Sequence, residues 1–253
     1  MENLRISTMT ACSSINSDID LDNLYHNIDT DSVISFIQHG SYGTKGESLK
    51  KQKRKSQKSE KKRTFFNQVT LHVNCEKIVN VKLFNNGKIQ MTGLKYEDHG
   101  NKVLDIIIPE LVRLDQTHED KVLNKQTIKY QPMNIACINS DFSIGYPIKR
   151  DIFHQTIIKK GYYSSYEPCI YPGVNIKYYY NTLCPGGICK CKEPCNGKGD
   201  GKSDGKCKRI TIAVFKSGNA IITGARSKKQ LDTAHKFITS FITNNESIIK
   251  LNE

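Results

Sequence analysis

The sequence predicts an α+β fold of two pseudo-symmetric repeats, each a set of antiparallel strands with one long helix on a single face. Three observations carry this: a motif that recurs at a fixed offset, strands that alternate apolar and polar residues, and one amphipathic helix per half. The motif runs from Leu83-Phe84-Asn85-Asn86-Gly87 to Thr92-Gly93-Leu94-Lys95, and returns 131 residues later from Val214-Phe215-Lys216-Ser217-Gly218 to Thr223-Gly224-Ala225-Arg226. Upstream, Leu24-Tyr25-His26-Asn27 returns as Ile152-Phe153-His154-Gln155, offset by 128. Two matches in one order, at nearly one offset, mark two copies of a single unit, residues 1–130 and 131–253.

Each copy opens on a β-prone stretch, Ile6 to Ala11 or Asn134 to Asn139, and continues into a short helical segment near Leu21 to Ile28 or Ile148 to Ile158. Alternating strands follow, Val69 to Val73 and Val79 to Leu83 in the first copy. Asn85-Asn86-Gly87 and Lys216-Ser217-Gly218 have the composition of tight hairpin turns. In the second copy Leu231, Ala234, Phe237, Ile238, Phe241 and Ile242 fall on one helical face, with Ser227 placed to cap it. In the first copy Val103, Leu104, Ile107, Ile108 and Leu111 do the same, and Pro109 is expected to kink or break that helix. One long helix per copy covers one face of the strands and leaves the other free to meet a partner.

Two inserts interrupt the symmetry. Tyr25 and Phe66 lie 41 residues apart where Phe153 and Tyr171 lie 18 apart; Phe66 and Phe84 are 18 apart where Tyr171 and Phe215 are 44 apart. The first insert, about residues 43–64, carries nine Lys or Arg and one Glu between Lys50 and Arg63 and reads as a disordered polycation. It suits an extra phosphate clamp, a nuclear localisation signal or a solvated loop. The second, about residues 181–208, is rich in Gly and holds Cys184, Cys189, Cys191, Cys195 and Cys207. Four of those thiols would make a structural zinc site; the spacing fits free thiols equally. Cys12, Cys75, Cys137 and Cys169 read as ordinary small residues.

Lys and Arg outnumber Asp and Glu by 38 to 25, a formal charge of +13 on 253 residues, which points to a polyanionic partner. The opening Met1-Glu2-Asn3-Leu4-Arg5 leads into a polar stretch and no apolar run is long enough to span a bilayer, so an intracellular protein without a membrane is expected. No catalytic triad, carboxylate dyad or phosphate-binding glycine loop stands out, and His26 and His154 read as packing or surface residues, so enzymatic activity is not expected. Phe66 with Phe84, and Tyr171 with Phe215, form aromatic pairs facing each other across a hairpin at the tip of each half. Singly, each would more often be a core residue. As symmetry-related pairs beside glycine turns they suit wedges that enter a base step from the minor groove.

Gly87 to Gly93, Gly218 to Arg226 and above all Ser164-Ser165-Tyr166-Glu167-Pro168-Cys169-Ile170-Tyr171-Pro172-Gly173 resemble the TATA-box-binding protein family over nearly the whole chain outside the inserts. That resemblance implies a saddle: one curved antiparallel sheet with helices on its convex face, binding and bending A·T-rich promoter DNA through the minor groove as a general transcription initiation factor. The lysine-, asparagine- and isoleucine-rich makeup suits a divergent version of the kind carried by a large DNA virus or a protist. Its residues would be the four wedges Phe66, Phe84, Tyr171 and Phe215; Asn134, Thr92 and Thr223 on the groove floor; Ile6 and Ile221 against sugars and base edges; and Lys88 and Lys177 on the backbone. Tyr171 stands where the family has Phe, Gln90 and Lys82 where it is apolar, and Asn219 and His72 where it is basic. The counterpart of Asn134 falls on Leu4, which lacks the amide. These departures imply A·T-biased binding of low stringency. Glu167 would dock a B-type general initiation factor and with it the RNA polymerase machinery, although the second docking acid is replaced by Cys169. The family needs no cofactor. A chain monomeric on DNA, in the nucleus or a viral replication factory, follows; the alternatives are a protein-interaction scaffold of the same fold, or the substrate-holding module of a nucleic-acid enzyme.

Overall fold

The computed structural model describes residues 4–47 and 65–251. The polycation from Lys50 to Arg63 lies outside the described residues. The chain divides into two compact units, Met9–Ile135 and Ala136–Glu253 together with Met1–Thr8. We call them the N-terminal and C-terminal units.

In the N-terminal half the order is β1 (Arg5–Ser14), α1 (Leu21–Asn27), β2 (Ile34–His39), β3 (Gly43–Gly46), β4 (Gln68–Cys75), β5 (Lys77–Phe84), β6 (Lys88–Leu94) and α2 (His99–Thr117). The C-terminal half repeats that series as β7 (Asn134–Ser143), α3 (Arg150–Lys159), β8 (Tyr163–Ser165), β9 (Val174–Tyr180), β10 (Lys208–Val214), β11 (Asn219–Ala225) and α4 (Lys228–Asn244), and adds the short α5 (Glu246–Ile249). Hydrogen-bonded neighbours run β3-β2-β4-β5-β6-β1 among the strands of the first half of the sequence and β7-β11-β10-β9-β8 among those of the second, every one of these pairs antiparallel. β3 corrects the sequence reading, because Gly43–Gly46 extends the sheet at a place expected to start a disordered insert. Its glycines give no apolar alternation, so only pairing with β2 reveals it.

The alternation of apolar and polar residues sets which face is covered. Val69, Leu71, Val73, Val79, Val81, Leu83, Ile89 and Met91 are buried with Val103, Leu104, Ile107, Ile108, Leu111 and Leu114 of α2. Ile176, Ile210, Ile212, Val214, Ala220 and Ile222 are buried with Leu231, Ala234, Ile238, Phe241 and Ile242 of α4. Phe237 is half-buried and packs against Tyr162 and Tyr178. The Ser227 hydroxyl accepts the Gln230 N–H, and the Gln230 side-chain oxygen accepts the Arg226 N–H, a reciprocal cap at the start of α4.

Pro109 neither breaks nor ends α2, which runs through it as one helix of 19 residues. Apolar residues on both sides of the proline are buried in one core, and that burial outweighs a helix penalty of about 3 kcal/mol. The hairpin glycines are forced. Gly87 and Gly218 have φ of +73° and +82°, and a Cβ would stand 2.3 Å from the Ser17 carbonyl oxygen and 2.2 Å from that of Tyr146. Both Thr-Gly pairs mark β-bulges, where the register skips Gly93 against β1 and Gly224 against β7. No described helix is long and apolar enough to cross a membrane.

Candidate nucleic-acid interface

In the N-terminal unit the face away from α2 is built from the alternate residues of β1, β6 and β5. Cys12 pairs with Gln90, Gln90 with Lys82, and Thr92 with both Thr10 and Asn80, so these side chains share one surface. A groove of about 450 Å³ opens there, lined by Cys12, Phe84, Lys88, Gln90, Pro132 and Asn134 among others. It brings together four residues singled out from sequence: Phe84, Lys88, Gln90 and Asn134. Lys88 and Asn134 are exposed.

The aromatic tip differs in register from the expectation. Phe84 pairs with Gln68, so Phe66 lies two residues beyond the ladder and does not stand opposite it. Phe66 is 65 % exposed, and its ring closes on Gly40, where a Cβ would come within 3.3 Å. Phe65 beside it is 66 % exposed and was not anticipated, although a Phe doublet next to the hairpin end was visible in the sequence. His72 is also corrected. It is buried, with its ring 4.6 Å from that of Phe36, because β2 extends the sheet over it, and it cannot stand in for an exposed basic residue.

In the C-terminal unit the corresponding face carries Asn139, Asp141, Lys177, Thr211, Ile221 and Thr223, and half-buried Ile6 lies on β1 between Arg5 and Ser7, whose side chains reach Asp141. Ile221 is exposed and pairs with Asp141. The Thr223 hydroxyl donates to the Asn139 side-chain oxygen, with the Cys137 sulfur 3.6 Å away. Lys177 donates to the Thr211 hydroxyl at 3.1 Å; burial, and then the neighbouring Arg209 charge, lower its pKa. Asp141 accepts from Arg5 Nε at 3.1 Å and Nη2 at 2.8 Å, and from the Ser7 hydroxyl.

The pairing also corrects the counterpart of Asn134. Met9 pairs with Leu94 just as Ile138 pairs with Ala225, after equivalent bulges, so counting back along each strand sets Asn134 against Arg5 and not Leu4. A guanidinium therefore stands where the symmetric amide was sought.

The second aromatic pair does meet. The rings of Tyr171 and Phe215 are 5.8 Å apart, and a Cβ on Gly173 would lie 2.8 Å from one and 3.0 Å from the other. Tyr171 is 38 % exposed. The Glu167 carbonyl accepts the N–H groups of Ile170 and Tyr171, forming a turn that leaves the Glu167 side chain, Cys169 and Ile170 in solvent. Ile170, 82 % exposed, had not been singled out; between a cysteine and a tyrosine ahead of a proline it carried no periodic signal.

The cysteine loop joins Tyr180 to Lys208, at the end of the β9–β10 hairpin away from Tyr171 and Phe215. The sulfurs of Cys189, Cys191, Cys195 and Cys207 lie within 4.8 Å of one another and could all reach one metal ion. Cys184, grouped with them on sequence, is not in the cluster. It precedes a Pro185-Gly186-Gly187 turn whose last residue packs on the Tyr178 ring, which leads the chain past it before the cluster begins.

Residues 133–244 match the family model described as transcription factor TFIID, or TATA-binding protein. A TATA-box-binding protein-like protein of Acanthamoeba polyphaga mimivirus is 28 % identical over 266 aligned positions, covering 98 % of this chain and 67 % of the relative. The Methanococcus jannaschii TATA-binding protein has a similar fold, with a TM-score of 0.55 over 96 % of this chain and 99 % of its own, at 16 % identity. The second half of the chain therefore matches the TATA-binding-protein family, and the chain as a whole is similar to a viral TATA-box-binding protein-like protein and shares the fold of a TATA-binding protein.

Proposed function

We propose that the chain is a DNA-binding transcription initiation factor that binds A·T-rich duplex through the minor groove and bends it with aromatic wedges. The observation that carries this reading is the Tyr171–Phe215 pair, set at the end of an uncovered strand face beside a glycine that admits no side chain. Energetics favour a pair over a single ring. Fully burying one large apolar side chain gains about 1.5–3 kcal/mol, while unstacking a base step costs a few kcal/mol. Two rings at one step offset that cost. Phe66 and Phe84 supply the second set in the other unit.

Between the wedges, Thr92, Thr223, Asn134, Ile6 and Ile221 meet the groove floor and sugars, and Lys88 and Lys177 meet phosphates. Lys82 and Gln90, paired across the ladder, put polar groups where a smooth apolar surface would penalise the guanine amino group. Selectivity for A·T is therefore low. Exposed Glu167 is the contact for a B-type general initiation factor that brings in the RNA polymerase machinery. Two repeats on one chain make a monomer sufficient on DNA, at work in the nucleus or a viral replication factory. The DNA step needs no cofactor; a zinc ion in the cysteine loop would be structural.

The test exchanges the grooves. Replacing A·T by inosine·cytosine keeps the minor-groove acceptors and omits the guanine amino group, while the major groove becomes that of G·C. Binding to an A·T duplex and its inosine·cytosine analogue is expected to be comparable. Each A·T replaced by G·C is expected to cost about 1 kcal/mol, the low end for a specific site. An inosine·cytosine duplex bound as weakly as G·C overturns minor-groove reading and leaves the scaffold alternative.

A further inference from the structure

We propose that Cys189, Cys191, Cys195 and Cys207 form a closed tetrathiolate zinc site that holds the loop between β9 and β10, with Cys184 outside it. Zinc bound by four thiolates at about 2.3 Å in a tetrahedron separates its sulfurs by roughly 3.8 Å. Cys207 Sγ lies 3.7 Å from that of Cys189 and 3.3 Å from that of Cys191, and all four sulfurs fit within 4.8 Å. The protein thus gathers the four corners of such a site from a Cys-x-Cys pair, a third thiol in the same loop, and a fourth at the start of β10.

One side-chain amide outside the cluster is aimed at its sulfurs. Asn181 Nδ2 donates to Cys207 Sγ at 3.4 Å. A donor on the ligand sulfur stabilises its negative charge and orients it toward the metal. Gly197 and Gly205 both have positive φ, +72° and +68°, and turn the chain on either side of the cluster. The Asp204 carboxylate accepts the N–H groups of Lys192 and Glu193 and so shapes the turn that follows Cys191.

The rest of the loop explains why a metal is needed. From Thr182 to Lys206 it holds no named helix or strand, and its large aliphatic residues are only Leu183, 69 % exposed, and half-buried Ile188. Such a segment cannot offset its own ordering entropy by apolar burial. Four protein ligands leave no open position, so the ion is structural and not catalytic. Thiolates also select zinc over magnesium or calcium. The loop is tied to the unit's long helix, because Gln230 Nε2 donates to the Asp200 carbonyl at 3.0 Å and Gly201 packs on Tyr180. Metal binding therefore stabilises the C-terminal unit as well as the loop.

The experiment uses the full chain and two variants, Cys191→Ser and Cys184→Ser. Metal content is measured after purification without chelator, followed by cobalt(II) titration of the stripped proteins. Wild type and Cys184→Ser are expected to carry one zinc per chain and to give the intense visible bands of tetrahedral cobalt with sulfur-to-metal charge transfer. Cys191→Ser is expected to lose at least tenfold in cobalt affinity. If that variant fails to fold, chelation of the wild type still decides: it should lower the melting temperature and expose four more thiols to a thiol reagent. A wild type without zinc, a weak octahedral cobalt spectrum, a mass showing disulfides or an iron–sulfur cluster, or equal loss in Cys184→Ser would each overturn the site.

Discussion

Tyr171 has its ring against Phe215 and is 38 % exposed; in the proposed wedge mechanism its hydroxyl would travel with the ring into an apolar base step. Desolvating a hydroxyl without a partner costs about 1–3 kcal/mol by protein mutational scales. Tyr171→Phe is therefore expected to tighten binding to A·T-rich duplex by about 1 kcal/mol, roughly fivefold in Kd, measured by fluorescence anisotropy. On the same unit Asp141 sets a carboxylate on the uncovered face, held by Arg5 and Ser7. Asp141→Asn removes the negative charge and releases the guanidinium, so affinity should rise and its salt dependence steepen. His235 is half-buried against Phe142, and burial lowers its pKa below the ordinary 6.5. A depressed histidine binds its proton more readily in the unfolded chain, so stability is full above about pH 6.5 and falls as pH drops through that value toward the folded pKa. His235→Leu should flatten the fall in melting temperature between pH 6.5 and 5.

Where an element announced itself by period, the sequence reading and the structure agree; where it depended on register, they part. The faces of α2 and α4 and the hairpin glycines were legible because burial follows a repeat of 3.6 or 2 residues. Arg5 as the symmetry counterpart of Asn134 was not, because loop lengths differ between the copies and a one-residue slip moves a strand residue to the other face. β3 was hidden by its glycines and Phe65 by the neighbouring insert. Two substitutions test the elements. Ser227→Ala removes the α4 cap and should cost about 1 kcal/mol in denaturant unfolding. Gly218→Ala must adopt φ of +82° and push into the Tyr146 carbonyl, so it should cost more than the 1 kcal/mol typical of a strained turn alone.

For the molecule as a whole, charge and the exposed aromatics make separable contributions. A formal charge of +13 attracts any polyanion, whereas bending needs rings that enter base steps. The four thiols were foreseen as a group of five, since spacing alone cannot say which sulfurs converge. The most direct measurement is energy transfer between dyes on the two ends of a short A·T-rich duplex, for wild type and for Phe84→Ala combined with Phe215→Ala. Wild type should bring the ends closer, and the double variant should still bind through its charge but leave the duplex straight. Equal binding with no bend in either protein, or an undiminished bend in the variant, would contradict the wedge mechanism.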